Sequence, residues 1–202
     1  MNRKDKYSLL LLAGGKSSRM GTNKAELLYT GKTFLQHNAD KAEKLGIEYV
    51  YISGFQGNIE GTQIVWDQYP DRGPLGGIHA CMCEMKTPFC LILPIDAPKL
   101  QVEVLEALLT YHENYRTGLK GEKEIPLIWE HGDRKEPLIA VYPVVMAETI
   151  EDMIRERSAA VFQMIDSWGY ECFQMEIPEG QVVNVNTPEL YQELIRNDSE
   201  KI

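Results

Sequence analysis

Short apolar runs alternate along the chain with longer stretches in which apolar residues recur every three or four positions, as strands and amphipathic helices do in α/β proteins. The first run, Tyr7–Ala13, predicts a buried strand. Further strands are predicted at Tyr49–Ser53, Ile64–Trp66, Phe89–Leu93, Ile125–Glu130 and Leu138–Tyr142, with an extended segment at Tyr170–Ile177. Helices are predicted at Phe34–Leu45, Pro74–Met85, Val102–Tyr115, Val144–Arg155 and Ala160–Trp168.

Local signals mark several ends of these elements. Gly46 suits the position after a helix, Pro74 suits the first turn of the next, and Thr187 with Pro188 is typical of the start of a last helix. No repeat or Pro/Gly/Ser-rich linker interrupts the pattern. We therefore predict one Rossmann-like α/β domain over residues 1–202, with a mainly parallel sheet and helices on both faces.

The composition narrows the class of protein. A net charge of −9 over 202 residues argues against a surface that coats nucleic acid or binds anionic membranes. The four cysteines lack the spacing of a common zinc site, so we expect mostly buried, reduced thiols and a cytoplasmic protein. The apolar run Leu9–Leu12 is shorter than the roughly 7–15 residues of a signal peptide core.

A glycine-rich and basic loop, Gly14–Lys24, follows the first strand. Its glycines would let backbone N–H groups approach phosphate oxygens, and Lys16, Arg19 and Lys24 would neutralise them. The spacing matches neither a Walker A motif nor GxGxxG. The alternative is a solvated connection, but three cations beside Gly-Gly favour phosphate binding.

Two further polar segments follow predicted strands, and ligands of parallel sheets bind beyond such carboxyl ends. In "WDQYPDRGPLGGIHA", Asp67 or Asp71 could contact a sugar or base; the alternative is a turn capped by Asp71. In "LILPIDAPKL", Asp96 is suited to hold Mg²⁺ beside phosphates; the alternative is a cap of the next helix.

These segments together resemble a known family, the nucleotidyltransferases that act on the molybdenum cofactor. "LAGGKSSRMGTNKAEL" is similar to the family signature LAGGxSxRMGxDKxxL, and "DRGPLGGI" to its GPLxGI segment. "LPIDAP", "KEPLIAVYP" and "NVNTPEL" resemble its strand-end aspartate, its EPLxALY strand and its closing NxNTPEEL. The resemblance spans Leu9–Leu190, is greatest for members that transfer a guanylyl group, and implies the nucleotide-diphospho-sugar transferase fold.

The resemblance also implies roles for matching residues. Lys24 would meet the phosphates, Arg19 would neutralise the departing pyrophosphate, and Asp96 would hold Mg²⁺. Asn184 and Asn186 would lie near the pterin substrate, although a structural turn is an equal alternative. The nucleotide-binding set is Leu12, Ala13, Gly14, Gly15, Lys16, Lys24, Ser53, Asp67, Gly76 and Asp96.

The reaction so implied is transfer of GMP from GTP to the phosphate of molybdenum-bound molybdopterin, with release of pyrophosphate. An anionic phosphate needs no general base, so alignment and charge neutralisation would carry catalysis. Transient contacts with proteins that deliver and receive the cofactor are consistent with a labile product.

Two departures from the family pattern leave alternatives open. Asn23 stands where the signature has Asp, and Ser53 stands where the guanylyltransferases commonly have Asn. The alternatives are a cytidylyltransferase for the same pterin, a sugar-phosphate nucleotidyltransferase, and a non-catalytic nucleotide-binding regulator.

Overall fold

The apolar runs of the sequence form the strands of a seven-stranded sheet in a computed structural model, which describes residues 2–14, 23–118, 123–156, 160–177 and 184–199. The strands are β1 (Tyr7–Leu12), β2 (Leu28–Tyr29), β3 (Lys32–Thr33), β4 (Tyr49–Ser53), β5 (Thr62–Val65), β6 (Phe89–Pro94), β7 (Leu127–His131), β8 (Arg134–Pro143) and β9 (Glu171–Gln174). The helices are α1 (Phe34–Leu45), α2 (Pro74–Glu84), α3 (Val102–Gly118), α4 (Ala147–Arg155), α5 (Val161–Trp168) and α6 (Pro188–Ser199).

The large sheet has the strand order β5-β4-β1-β6-β8-β7-β9. Strands β5, β4, β1 and β6 pair in parallel, β8 is antiparallel to both of its neighbours, and β9 is parallel to β7. The prediction of a mainly parallel sheet is confirmed. Strands β2 and β3 form a separate antiparallel hairpin that the sequence analysis did not predict.

Two hydrophobic layers cover the sheet, one on each face. Leu9 and Leu11 of β1 pack in the layer that contains α1 and α3, whereas Leu10 and Leu12 pack in the layer that contains α2, α4 and α5. A parallel strand buried on both faces explains the uninterrupted leucine run, because each buried leucine contributes about 1.5–3 kcal/mol. The prediction of helices on both faces is confirmed.

The connections create a switch point beside β1. From β1 the chain passes through α1 to β4 on one side, and from β5 it returns through α2 to β6 on the other side. The carboxyl ends of β1 and β6 therefore border the crevice in which open α/β sheets bind their ligands.

The helix signals in the sequence correspond to observed caps. Thr33 and Gln36 form a capping box at the start of α1, and Gly46 ends that helix at φ 69°. Thr187 Oγ1 accepts from the backbone N–H of Leu190 at the start of α6.

Several predicted bounds were wrong, most of all in the second half. Strand β8 begins at Arg134, so part of the polar "EHGDRKE" stretch is strand; its exposed residues Arg134 and Lys135 give no apolar signal. Residues Val144–Met146 form a 3₁₀ turn before α4, and β5 ends before Trp66. Trp66 is 62% exposed.

The four cysteines are free, as predicted. Cys81 and Cys90 are buried, and burial raises the pKa of both thiols. Cys83 is exposed and Cys172 is half-buried, so the expectation of mostly buried thiols holds for only two of the four. Among the described residues, none of the helices combines the length and the apolar character that crossing a membrane requires.

Candidate active site

The ends of β1 and β4 meet through their backbones at the crevice. The backbone N–H groups of Ala13 and Gly14 donate to the carbonyl of Ser53 at 2.9 and 3.1 Å. Gly54 has φ 77°, and a Cβ at that position would lie 2.2 Å from the Gly14 Cα. Glycine is therefore required at position 54, where the two chain segments touch.

The first turn of α2 packs equally closely against two polar side chains. A Cβ on Gly76 would lie 2.4 Å from Asp67 Oδ2, and one on Gly77 would lie 2.2 Å from Ser53 Oγ. The backbone N–H of Tyr69 donates to Asp67 Oδ1 at 2.7 Å, which fixes the orientation of that carboxylate. The glycines bring the N-terminus of α2 to the crevice, where its free N–H groups favour an anion.

Lys24 opens a 3₁₀ turn of three residues, Lys24–Glu26. The Asn23 side chain accepts from the backbone N–H of Ala25 at 3.1 Å and caps this turn. The amide oxygen of Asn23 therefore performs a capping role for which Asp is equally suited. The replacement of the family's Asp by Asn23 leaves Lys24 on a structured turn.

Lys24 and Asp96 converge from opposite sides of the crevice. Lys24 Nζ lies 3.5 Å from Asp96 Oδ2 and donates to Asn186 Oδ1 at 2.5 Å. The side chains of Lys24 and Asp96 are 17% and 21% exposed, so solvent screens this pair only in part. The backbone N–H of Val185 donates to the Asp96 carbonyl at 2.8 Å, which joins the segment before α6 to the end of β6.

A buried lysine supports the backbone just before Asp96. Lys41 Nζ donates to Asn38 Oδ1 at 2.8 Å, and Asn38 Nδ2 donates to the carbonyls of Phe34 and Ile95 at 2.9 and 3.4 Å. Burial lowers the pKa of Lys41 to about 8, with a smaller contribution from the charge of Lys44. No local pattern in the sequence indicates this chain of hydrogen bonds.

These segments enclose a cavity of about 660 Å³, within the roughly 300–1,000 Å³ that small-molecule sites occupy. The predicted residues that line it are Leu12, Ala13, Gly14, Lys24, Ser53, Asp67, Asp71 and Asp96. It is also lined by Gly54, Gly73, Pro74, Gly77, Pro94, Ile95 and Leu138. Residues from the ends of four strands, β1, β4, β5 and β6, thus share one wall, as the order of the strands requires.

The other predicted site residues lie differently. Gly76 packs beneath Asp67, and neither it nor Asn184 or Asn186 is among the residues that line the cavity. Asn184 Oδ1 is buried and lacks a hydrogen-bond partner in the part of the chain that the structure describes. Gly15, Lys16 and Arg19 lie outside the described residues.

Two lining residues escaped the sequence analysis for different reasons. Gly54 directly follows a predicted strand, which is a signal that could have identified it. Leu138 belongs to β8, whose place beside β6 depends on long-range pairing that no local pattern reveals.

The donor groups at this cavity fit Mg²⁺ that is bound together with phosphates. Within the described ranges, three or more His, Cys, Asp or Glu side chains nowhere cluster as a metal site. Asp96, however, is a strand-end carboxylate on the cavity wall, and Mg²⁺ commonly takes only one or two carboxylates and completes its shell with phosphate oxygens and water.

Comparison with known proteins identifies relatives over nearly the whole chain. The model of the MobA-like NTP transferase domain family matches residues 9–167. The probable molybdenum cofactor guanylyltransferase of Clostridium perfringens is 30% identical, over 95% of this chain and 97% of that protein. The molybdenum cofactor guanylyltransferase of Pseudomonas fluorescens is 32% identical, over 92% of each chain.

Solved structures share the fold. Molybdopterin-guanine dinucleotide biosynthesis protein A of Archaeoglobus fulgidus superposes with a TM-score of 0.74 at 23% identity, over 96% of this chain and 99% of the other. CMP:2-keto-3-deoxy-manno-octonic acid synthetase complexed with CTP superposes with a TM-score of 0.75 at 13% identity, over 98% and 100%. The predicted nucleotide-diphospho-sugar transferase fold is confirmed.

Proposed function

Because the chain belongs to the family of MobA-like NTP transferase domains, it is a nucleotidyltransferase, and we propose that it transfers GMP from GTP to the phosphate of molybdenum-bound molybdopterin. The products are pyrophosphate and the guanine dinucleotide form of the cofactor. Relatives named as molybdenum cofactor guanylyltransferases support the assignment of a guanine nucleotide as donor and of the molybdenum cofactor as acceptor.

One observation carries this proposal. Lys24 and Asp96, which the sequence analysis selected for phosphate and metal binding, lie 3.5 Å apart on the wall of a cavity of about 660 Å³. That cavity is at the switch point of the sheet, beside the N-terminus of α2. A cation, a carboxylate and a helix N-terminus together suit a triphosphate and its counter-ion.

The chemistry requires one bond to form and one to break. An oxygen of the acceptor phosphate bonds to the α-phosphorus of GTP, and the bond from that phosphorus to the bridging oxygen of the leaving pyrophosphate breaks. The bonding electrons depart with pyrophosphate. Because the attacking oxygen is already anionic near neutral pH, the protein has to supply alignment and positive charge rather than a base.

Lys24 supplies positive charge in this scheme, and Asn186, through its hydrogen bond, holds the ammonium in place. We assign Mg²⁺ to Asp96; when bound, the ion would neutralise charge on the phosphates. Neutralisation of pyrophosphate by Arg19, and contacts of Gly15 and Lys16 with the nucleotide, rest on the family resemblance alone.

The setting of the reaction is part of the proposal. Four free cysteines are consistent with the reducing cytoplasm, and a net charge of −9 disfavours nucleic acids and anionic membranes as partners. We propose transient docking with the proteins that deliver molybdopterin and receive the product.

The first test is calorimetric titration with GTP, CTP, ATP and UTP, each with and without Mg²⁺, followed by a transfer assay with molybdopterin. We expect Mg²⁺-dependent binding that prefers GTP, and transfer that releases pyrophosphate. A preference for CTP would overturn guanylyl transfer while keeping the reaction class. Binding of none of the four would overturn the proposal.

Variants then test the site. Lys24→Ala should lower GTP affinity by about ten- to a hundredfold, because it removes a charge-assisted phosphate contact. Lys32→Ala, which removes the same charge from the exposed hairpin, is the matched control and should bind GTP normally. Equal effects of the two substitutions would mean that net charge, and not a site at Lys24, governs binding.

A further inference from the structure

A tyrosine lies between the two aspartates that the loop after β5 places on the cavity wall. Asp67 and Asp71 both line the cavity, whereas Tyr69 is not among the lining residues and packs against the layer that contains α2 and α4. Tyr69 has no role in the scheme above. Its backbone nevertheless contacts Asp67, and its side chain contacts α4.

The backbone of Tyr69 fixes one oxygen of Asp67. The N–H of Tyr69 donates to Asp67 Oδ1 at 2.7 Å, and Gly76 leaves room for Asp67 Oδ2, which a Cβ at position 76 would approach to 2.4 Å. An aspartate that accepts from the backbone two residues further on is a common feature of turns. The direction in which Asp67 faces the cavity therefore depends on where the backbone of Tyr69 is held.

The hydroxyl of Tyr69 anchors this loop to α4. It donates to Glu151 Oε1 at 2.6 Å, and Arg155 Nη2 donates to the same oxygen at 2.7 Å. The hydrogen bond from Tyr69, followed by that from Arg155, lowers the pKa of Glu151, so the acceptor is an ionised carboxylate at neutral pH. A hydrogen bond to an ionised group is about twice as strong as one between neutral groups.

Helix α4 is a fixed support because it is packed on α2. Its residues Ile150 and Ile154 are buried in the same hydrophobic layer as Ile78 of α2. The ring of Tyr69 meets the ring of the buried His79, also on α2, edge-on, with the two centroids 5.5 Å apart. Tyr69 therefore connects the loop to both helices.

The backbone of the loop requires such an anchor. Asp71 has φ 64°, in the left-handed region that is unfavourable for a residue with a Cβ, and Gly73 has φ 58°. Conformations of this kind persist at functional sites when the surrounding contacts hold them in place. Tyr69, two residues before Asp71, supplies contacts of that kind from outside the loop.

On the premise of the proposed function, we propose that Tyr69, bonded to Glu151, is a positioning residue that holds the Asp67 carboxylate in the orientation that receives GTP. Tyr69 lies behind the wall and acts through Asp67 rather than by touching the nucleotide. Helix α4, whose residues are not among those that line the cavity, thereby takes part in shaping the nucleotide side of the site.

Removal of the hydroxyl alone tests this role. Tyr69→Phe keeps the ring and its contact with His79, and should raise the Kd for GTP, measured by calorimetry with Mg²⁺ present, by about three- to tenfold, as loss of one hydrogen bond does. Glu151→Ala should have the same effect, whereas Glu151→Gln, which keeps an acceptor oxygen, should bind GTP almost as the wild type does. The matched control is Tyr51→Phe, which removes a hydroxyl that donates to the Glu84 carbonyl at the far end of α2 and should leave the Kd unchanged.

A double substitution separates positioning from a general loss of structure. In a chain that already carries Asp67→Ala, Tyr69→Phe should not change GTP affinity further, because the carboxylate through which it acts is missing. An equal effect in both backgrounds would overturn the inference, and so would wild-type affinity in either single variant, Tyr69→Phe or Asp67→Ala. Failure of the wild type to bind GTP would instead refute the proposed function.

Discussion

The buried Lys41 on α1 makes a prediction about how stability depends on pH. Lys41 is 7% exposed, and burial lowers the pKa of its ammonium group from 10.5 to about 8. At about 1.4 kcal/mol per pKa unit, the charged form costs the folded state about 3 kcal/mol. Lys41→Met removes that charge while keeping an apolar stem of similar length.

The direction of the pH dependence follows from the number of protons that Lys41 binds in the folded and unfolded chains. Below pH 8 both folded and unfolded chains carry the proton, and the full cost of the buried charge is present. Between pH 8 and 10.5 the folded chain releases the proton while the unfolded chain retains it, so the free energy of unfolding rises with pH. By pH 10 the wild type should gain about 2 to 3 kcal/mol relative to Lys41→Met.

The slope, and not the value at one pH, decides this test. Loss of the Lys41 donor leaves Asn38 Oδ1 unpaired at a cost of about 1–3 kcal/mol, which offsets the relief of the buried charge at neutral pH. Urea unfolding of both proteins at pH 7, 8, 9 and 10 measures the slope, with the exposed Lys86→Met as control. Parallel pH curves for wild type and Lys41→Met would refute the reasoning.

Two further substitutions probe the packing that shapes the site. Gly77→Ala should lower the free energy of unfolding by about 1–3 kcal/mol, because its Cβ would lie 2.2 Å from Ser53 Oγ. Adding Ser53→Gly to the same chain should restore most of the lost stability. If thermal melts show no such rescue, the packing argument is contradicted. Tyr142→Phe should lower the free energy of unfolding by about 1 kcal/mol, because it removes the hydrogen bond from the Tyr142 hydroxyl to the Pro137 carbonyl; unchanged urea unfolding would contradict this expectation.

The strand-end residues could be predicted from sequence because a general rule governs them. In a parallel sheet the carboxyl ends of strands share one edge, so residues that follow separate strands must lie near each other. Gly14, Asp67 and Asp96 are distant in sequence and line the same cavity. Recognising each strand by its apolar run was sufficient to bring them together.

The place of β8 could not be predicted in this way. Strand β8 is antiparallel, begins with polar residues and contains a bulge over residues 137–139, so neither its place nor the direction of its side chains follows from a two-residue period. The Lys41–Asn38 pair was missed because helical periodicity places both on the buried side of α1 without revealing their partner at Ile95.

The structure accommodates both departures from the family signature. Asn23 caps the turn that carries Lys24, so loss of the aspartate charge leaves that turn intact. Ser53 Oγ already occupies the space above Gly77, where a larger side chain would have to turn away from α2. The size of the residue at position 53 therefore determines how closely α2 can approach β4 at the cavity. Because the two positions are in contact, base preference is best tested with Ser53 and Gly77 substituted together.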